Sequence, residues 1–464
     1  MAENQPGVVD LVDAGVPADQ GLSSLGLLMQ LAGNLLAAYA ALISFFMLFT
    51  AGGNAETLWF FLVLGLSIAR SMLHRAAGSQ LLYGRSGVEG QRLTGIHRYV
   101  MFGLAQSVMV AALMAAKFHV PSKLALGILV GLAAWPLTLG VVVRLPRFKR
   151  FNNDLPITED KGFEGASILM TVLGLCGAVG AGTVLLVMLQ LPGSELQKGP
   201  GVLIVLTVAM LVVRSGLHVQ AGLSGLRETS VDRSVELANR YANFGVISSF
   251  CGGGALLLFV MSSAVSVAGM ALVCGICWML MTWPLIIRRF FSDRQFADLL
   301  AGDNAPLHRR APDAGLTALG WLLLAYAILV ASFMLPTLLT GPDSGMRDFQ
   351  SLMALGSTGA RSVWWTVGET VLMGWAGFEL IRMSPQSRII ATVFGVVGIG
   401  VAIYTNYPLI DELKHMRGFM GANALAIGPL AMALIMPIAT IVLVNRKIAP
   451  TARARFRQKP VPQA

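Results

Sequence analysis

The stretch RSGLHVQAG at residues 214–222 places an arginine and a histidine inside an otherwise apolar run. Two further stretches have the same layout: RSMLHRAAG at residues 70–78 and, more loosely, ETVLMGWAG at residues 369–377. Each lies in the second apolar segment of a group of four. Charged side chains are rare within membrane-spanning helices, so a charge that recurs at equivalent positions is informative. We therefore interpret the chain as three copies of one membrane module.

The composition is that of a membrane protein. Of the 464 residues, 55% are hydrophobic and only 12% are charged, whereas soluble domains carry about 25% charged residues. The net charge of +10 is typical of basic cytoplasmic loops. No basic run with interleaved aromatic residues is present, so nucleic acid is excluded as a partner. The lipid bilayer is the predicted partner, and other membrane subunits are an open alternative.

Runs of about 20 apolar residues, the length that crosses a bilayer, predict twelve transmembrane helices. Their approximate bounds are 26–50, 57–82, 99–117, 122–144, 165–191, 201–222, 243–265, 267–288, 315–337, 362–382, 387–404 and 422–445. The predicted fold class is an all-α polytopic membrane protein.

Lysine and arginine collect on one side of these spans. With the N-terminus inside, the inner loops and the C-terminal tail hold 24 of the 34 Lys and Arg residues, the outer loops hold seven, and three lie within spans. This asymmetry predicts cytoplasmic N- and C-termini in a multi-pass protein of the cell inner (plasma) membrane. Because every group of four spans starts and ends inside, the three four-helix repeats are predicted to be parallel and not inverted.

Further markers recur in the same order in each group. The third span begins RYVMFG at 98–103 and RYANFG at 240–245, and the third group offers Arg388 followed by Phe394-Gly395. The fourth span carries a proline at a nearly constant distance from the second-span charge: 66 residues separate Arg70 from Pro136, 70 separate Arg214 from Pro284, and 68 separate Glu369 from Pro437. Ordered markers at near-constant spacing indicate an internal repeat.

The predicted boundaries follow from the spans and loops. They are a cytoplasmic N-terminal tail at 1–24, repeat 1 at 25–144, a linker at 145–164, repeat 2 at 165–288, an amphipathic cytoplasmic linker at 289–314, repeat 3 at 315–446 and a basic tail at 447–464. The N-terminal tail has no Lys or Arg and is not expected to be a secretory signal.

Five residues are candidates for a ligand site: Arg70, His74, Arg214, His218 and Glu369. Residues four apart share one face of a helix, so each Arg is aligned with its His. If the second spans converge on the repeat axis, the two Arg and the Glu meet there with one net positive charge, which would hold an anionic group.

A structural role for these charges is the stronger hypothesis. Each Arg lies roughly 12 Å from the inner end of its span, and a long Arg side chain can reach toward the headgroups. An Arg–Glu pair can also hold helices together.

His74 and His218, at equivalent depth on two helices, are candidate axial ligands of one b-type haem. Twelve spans in three groups also resemble the core subunits of haem–copper oxidases, which is an analogy of architecture alone. The chain has six His, four of them in loops or at span ends, so the ligand set of such an oxidase is absent. No cofactor or metal is predicted, and haem b is kept as a minor hypothesis.

Catalytic motifs are not found. The sequence contains no H-E-x-x-H, G-x-S-x-G or Walker motif, and we predict that the chain is not an enzyme. The four Cys lie in apolar spans, so no disulfide is predicted. The CGIC stretch at 274–277 is interpreted as small residues at a helix interface.

Three functional hypotheses remain. The first is a transporter or channel-like permease with a polar site among the second helices, because intramembrane charges often mark solute pathways. The second is a non-catalytic anchor or assembly subunit of a larger membrane complex. The third is a haem-b-binding electron-transfer subunit. A continuous polar path favours the first, and a dry, closed centre favours the second.

Overall fold

The computed structural model describes residues 22–50, 55–83, 91–144, 162–189, 201–227, 231–262, 267–292, 315–340, 360–382, 384, 386–415 and 420–445. These residues form twelve α-helices, numbered here in chain order. They are α1 (Leu22–Thr50), α2 (Ala55–Tyr83), α3 (Gln91–Lys117), α4 (Ser122–Val142), α5 (Phe163–Leu189), α6 (Gly201–Leu226), α7 (Val231–Ser262), α8 (Val267–Phe291), α9 (Leu316–Thr340), α10 (Ala360–Arg382), α11 (Ser387–His415) and α12 (Met420–Asn445).

The all-helical prediction is confirmed. Among the residues described, nine helices (α1–α8 and α11) are long and apolar enough to cross a membrane, as in a multi-pass membrane protein. α9 and α12 have shorter apolar stretches, Leu316–Ser332 and Ala433–Asn445. α10 carries two acidic residues, Glu369 and Glu379, along its 23 residues.

The third helix of each group extends beyond its predicted bounds. α3 begins at Gln91 instead of 99, α7 begins at Val231 instead of 243, and α11 continues to His415. Hydropathy marks only the part of a helix that suits hydrocarbon, whereas backbone hydrogen bonding continues into the polar turns beyond it. The predicted tails, apart from residues 22–24, and most of both linkers (145–161 and 293–314) lie outside the residues described.

The helices pack as three groups of four, called quartets here: α1–α4, α5–α8 and α9–α12. Within each quartet, consecutive helices are neighbours. The first helices, α1, α5 and α9, contact one another, and the fourth helix of each quartet packs against the first helix of another: α8 on α1, α12 on α5 and α4 on α9. The three quartets therefore form a ring, and their first helices occupy its centre.

One end of this centre is closed by apolar side chains. Where the three first helices begin, the buried residues include Leu22, Met29, Phe163, Met170 and Trp321. Between membrane helices, such side chains stabilise the bundle through close van der Waals packing. The bundle is thus anchored at the end where α1, α5 and α9 start.

The other half of the centre is packed less tightly. Along α5, every residue from Phe163 to Val172 is buried, whereas the residues from 175 to 189 are partly or fully exposed. In the part of the chain that the structure describes, a Cβ added to Gly180 or Gly182 would have no atom within 4 Å. A central helix therefore changes from a packed to an open environment near its midpoint.

Glycines bring the first and second helices of a quartet into close contact. A Cβ on Gly78 of α2 would lie 2.6 Å from the carbonyl oxygen of Gly26 on α1, and a Cβ on Gly377 of α10 would lie 2.7 Å from that of Gly320 on α9. Small residues allow such backbone contact between membrane helices. Gly78, which follows His74 by four residues on α2, packs against α1.

Candidate functional site

The guanidinium of Arg214 is held by two other helices of its own quartet. One nitrogen, Nη1, donates to Ser249 Oγ of α7 at 3.0 Å, and Nη2 donates to the carbonyl oxygen of Leu280 on α8 at 2.5 Å. Leu280 precedes Pro284 by four residues. Because a proline has no N–H, it cannot bond the carbonyl four residues earlier in a helix. Arg214 therefore supplies the donor that Pro284 lacks.

Arg70 makes the same arrangement in the first quartet. It donates to Gln106 Oε1 of α3 at 2.9 Å and to the carbonyl oxygen of Leu132 on α4 at 2.6 Å. Leu132 lies four residues before Pro136, which is inside α4. The guanidinium also lies 5.9 Å from the ring centre of Tyr99, a favourable cation–π distance. Both arginines thus satisfy a carbonyl that a helix proline leaves unbonded.

The histidines form a second pair of matching contacts. His218 Nε2 accepts a hydrogen bond of 2.7 Å from the indole N–H of Trp283, and its ring stacks on Tyr241 with centroids 4.0 Å apart and planes at 4°. His74 Nε2 accepts from Trp135 at 2.9 Å and stacks on Tyr99 at 4.6 Å. Both histidines are buried.

This geometry opposes the haem hypothesis. Nε2 of each histidine already accepts the Trp N–H, so that nitrogen has no lone pair left for iron. A bridging haem would require both Trp–His hydrogen bonds to break. The imidazoles instead serve as acceptors for two buried indoles, which need a partner when removed from water.

In the third quartet Glu369 occupies the place of the arginines. A Cβ added to Gly103 would lie 2.8 Å from Pro136 Cγ and 3.7 Å from Arg70 Nε, and Gly245 has the same relation to Pro284 and Arg214 at 2.7 and 3.6 Å. Gly398 has it to Pro437 at 2.8 Å and to Glu369 Oε1 at 3.2 Å. An acid therefore stands where the other quartets have a guanidinium.

The sequence pairing of Gly395 with Gly103 and Gly245 is wrong by three residues. Gly395 meets the side chain of Ile441 and the carbonyl of Pro437, and it is Gly398 that faces the proline ring. The Phe-Gly pair at 394–395 matched the sequence pattern by composition alone. With the corrected register, Phe394 stands at the position of Tyr99 and Tyr241.

The third quartet also replaces the polar aromatic group with apolar side chains. Met373 stands where the histidines are, and Met436 stands where the tryptophans are. Met373 and Phe394 are buried in one apolar cluster, and Met436 packs against it. Thioether and phenyl groups need no hydrogen-bond partner there. Of the four third-quartet residues described at these equivalent positions, Glu369 is ionisable, whereas Met373, Phe394 and Met436 are not.

The structure does not bring Arg70, Arg214 and Glu369 together on the central axis, because the second spans do not converge there. The axis is occupied by α1, α5 and α9, and each arginine points into its own quartet, where the proline-freed carbonyl accepts its hydrogen bond. Within the residues described, neither arginine forms an ion pair with Glu369; Arg240 pairs with Glu236, and Arg382 pairs with Glu379.

Sequence reasoning missed the partners of these charges. Trp135 and Trp283 each precede a marker proline by one residue, but no sequence pattern predicts them, or Tyr99, Tyr241, Gln106 and Ser249, as partners of the Arg and His side chains. A usable signal was present: Arg and a helix proline recur together in two groups, and a helix proline always leaves a carbonyl that needs a donor.

The remaining candidate chemistry is sparse. Among the described residues, no three His, Cys, Asp or Glu side chains lie close enough to hold a metal, and all four cysteines are free. Comparison of the chain with protein-family models, with curated proteins and with solved structures finds no match. The geometry of the helices and their buried polar groups is therefore the basis for a functional proposal.

Proposed function

We propose that the chain is a permease whose functional polar group is Glu369. One observation carries the proposal: within the described part of the chain, the half-buried carboxyl of Glu369 has no hydrogen-bond donor or ion pair. The corresponding Arg70 and Arg214 each make two hydrogen bonds. An intramembrane acid without a fixed partner is costly to keep and is typical of solute or ion pathways.

The packing around Glu369 supports this role. Tyr326 of α9 lies close enough to interact electrostatically with both Glu369 and Cys176 of α5. Cys176 comes just after the buried stretch Phe163–Val172, where α5 begins to be exposed. Glu369 therefore lies near the level at which the closed half of the centre gives way to the open half. Among the described residues the centre is packed at one end and open at the other, which is the arrangement expected of one state of an alternating-access carrier.

The proposal includes the finer architecture. The three quartets are copies of one four-helix module, related by an axis along the membrane normal, with both termini in the cytoplasm of a cell bounded by an inner (plasma) membrane. The common Gly–Pro contacts, the ring of first helices and the charge bias of the loops support it. In this proposal, quartets one and two form a fixed scaffold, and quartet three carries the functional polar group, Glu369.

The subunit and haem hypotheses have weaker support. Exposed apolar side chains such as Leu58, Trp364 and Val371 are expected wherever a helix faces lipid, and they do not point to a protein partner. The haem hypothesis needs histidine nitrogens that the two tryptophans already use.

Uptake of a labelled metabolite mixture tests the proposal. Membrane vesicles containing the wild-type chain, Glu369→Gln or the control Glu236→Gln are incubated with an isotope-labelled cell extract, and the enclosed solutes are measured by mass spectrometry. We expect at least one solute to enter wild-type and Glu236→Gln vesicles and not Glu369→Gln vesicles, since Glu236 is an exposed surface residue. Uptake indistinguishable from that of empty vesicles for all three chains would refute the permease function.

A further inference from the structure

The third quartet keeps a carbonyl that needs a donor but has no arginine to provide it. Pro437 of α12 has no N–H, so the carbonyl of Ala433, four residues earlier, loses its helical hydrogen bond. In the first two quartets, the equivalent carbonyls of Leu132 and Leu280 accept from a guanidinium. In the third, the side chain at the guanidinium position is the carboxyl of Glu369, beside Gly398 and Pro437.

A carboxyl can donate a hydrogen bond only when it is protonated. Ionised, it presents two acceptor oxygens to a region that also offers a carbonyl acceptor, and acceptors facing each other repel. Protonated, it becomes neutral, which suits the low dielectric of the membrane, and it gains the donor that the carbonyl lacks. Both effects favour the protonated form when the site is closed to water.

We propose that Glu369 and the carbonyl of Ala433 form a proton-binding site. In this site an exchangeable proton takes the place of the permanently charged guanidinium groups that Arg70 and Arg214 provide in the other quartets. The proton comes from water, attaches to a carboxylate oxygen, and makes the O–H that donates to the carbonyl. When it leaves to water, the bond is lost and the proline-containing segment of α12 is released from α10.

The neighbouring groups favour a proton over a metal cation. Among the described residues, the titratable side chain that interacts with Glu369 is Tyr326 from α9, which also interacts with Cys176 from α5. The segments of α11 and α12 that pack against it contribute Gly398 and Pro437, and no ionisable side chain occurs between residues 389 and 403 or between 424 and 445. Sodium needs several oxygen ligands, whereas a proton needs one acceptor and one partner. The surroundings of Glu369 provide the one acceptor and one partner that a proton needs.

The inference deepens the proposed permease function, because a proton that is taken up on one side and released on the other would couple solute movement to the proton gradient. The site itself does not depend on transport. It is therefore tested by a measurement that needs no substrate, so that its failure and the failure of the permease function can be told apart.

The test is infrared difference spectroscopy of the purified, reconstituted full chain during a pH titration. A protonated carboxyl gives a C=O stretching band that the carboxylate lacks. We expect a band that appears as the pH falls in the wild type, is absent from Glu369→Gln, and is retained in the control Glu236→Gln. Gln keeps the size of Glu and can donate its amide N–H to the carbonyl, so this variant is expected to fold.

A second variant tests the partner carbonyl. Pro437→Ala restores an N–H that can bond the carbonyl of Ala433 within the helix, so the Glu369 band should shift in frequency and the proton should bind more weakly. The control is Pro136→Ala in the first quartet, which leaves the Glu369 band unchanged. Identical bands in wild type and Pro437→Ala would overturn the assignment of the carbonyl.

Two results would overturn the proton site as a whole. One is a set of titration spectra that do not differ between wild type and Glu369→Gln, each shown to be folded by its melting behaviour. The other is a sodium-dependent rise in thermal stability that is present in wild type and lost in Glu369→Gln, which would make the bound ion sodium. If the band is found but no labelled solute enters vesicles, the proton site stands and the permease function fails.

Discussion

Nη2 of Arg214 donates a hydrogen bond of 2.5 Å to the carbonyl oxygen of Leu280, the carbonyl that Pro284 leaves without a helical partner. The arginine and the proline are 70 residues apart and lie on different helices, yet each compensates for the other. The proline creates an acceptor that lipid cannot satisfy, and the arginine is a buried charge that needs acceptors. Arg70 and Leu132 repeat this relation before Pro136.

Removing Arg214 should destabilise the protein, and removing Pro284 as well should recover part of the loss. Arg214→Ala leaves the Leu280 carbonyl without a donor, at a cost of about 1–3 kcal/mol. Pro284→Ala restores the helical N–H, so the double variant should lose less than the sum of the single variants. The free energy of unfolding in mixed detergent–lipid micelles measures this coupling.

The Arg214→Ala variant also tests the alternative that Arg214 is paired with Glu369 and not with the Leu280 carbonyl. Glu369→Ala added to Arg214→Ala should give no recovery, because Glu369 lies in another quartet. If Glu369→Ala restores stability and Pro284→Ala does not, the arginine is held by the acid and our assignment of its partner is wrong.

Arginine cannot be replaced by lysine at position 70. The Arg70 guanidinium bonds a side chain of α3 and a carbonyl of α4 at the same time, and this needs the planar fork that lysine lacks. Arg70→Lys should lower the free energy of unfolding by about 1–2 kcal/mol. Arg240→Lys is the control, since Arg240 forms an exposed pair with Glu236, and it should have little effect.

His218 should matter as an acceptor for Trp283. In His218→Phe the buried indole N–H loses its partner, which should cost about 1–3 kcal/mol. Trp283→Phe removes that N–H, so its effect should be smaller in the His218→Phe background than in the wild type. Equal effects of Trp283→Phe in the two backgrounds would show that the bond contributes no stability.

The purified wild-type chain should show no Soret absorption, because the nitrogens that would bind haem iron already accept Trp N–H groups. The measurement is a visible spectrum of protein expressed with ample haem supply. A Soret band that disappears in both His74→Phe and His218→Phe would reinstate the haem hypothesis and show that the Trp bonds exchange for iron.

Gly245 should not tolerate a methyl group. A Cβ there would lie 2.7 Å from Cγ of Pro284, so Gly245→Ala should push α7 away from α8 at a cost of about 1–3 kcal/mol. Gly254 is on the same helix and a Cβ there would meet nothing within 4 Å in the described structure. Gly254→Ala is therefore the matched control and should be neutral or slightly stabilising. Thermal unfolding of both variants in the same detergent compares them.

Much of the architecture could be read from the order of residues along the chain. Hydropathy determined the number and order of the helices, since the length of an apolar run must match the thickness of a bilayer. The recurrence of Arg214 and Pro284 as Arg70 and Pro136 indicated a repeated module. Hydropathy is a local property and the recurrence is a pattern of spacing, so both can be recognised without knowing any tertiary contact.

Which groups meet was decided by tertiary packing alone. The sequence placed Arg70, Arg214 and Glu369 at equivalent positions, and this suggested a shared central site. In the structure the first helices fill the centre, and each charged side chain turns to α3, α7 or α11 and the following helix. A charged side chain within a membrane needs a hydrogen-bonding or oppositely charged partner nearby. The position of that partner depends on helix packing, which no local sequence pattern specifies. Glu369 is the exception: helix packing places it beside Gly398 and Pro437, and the described part of the chain offers it no hydrogen-bond donor or ion pair.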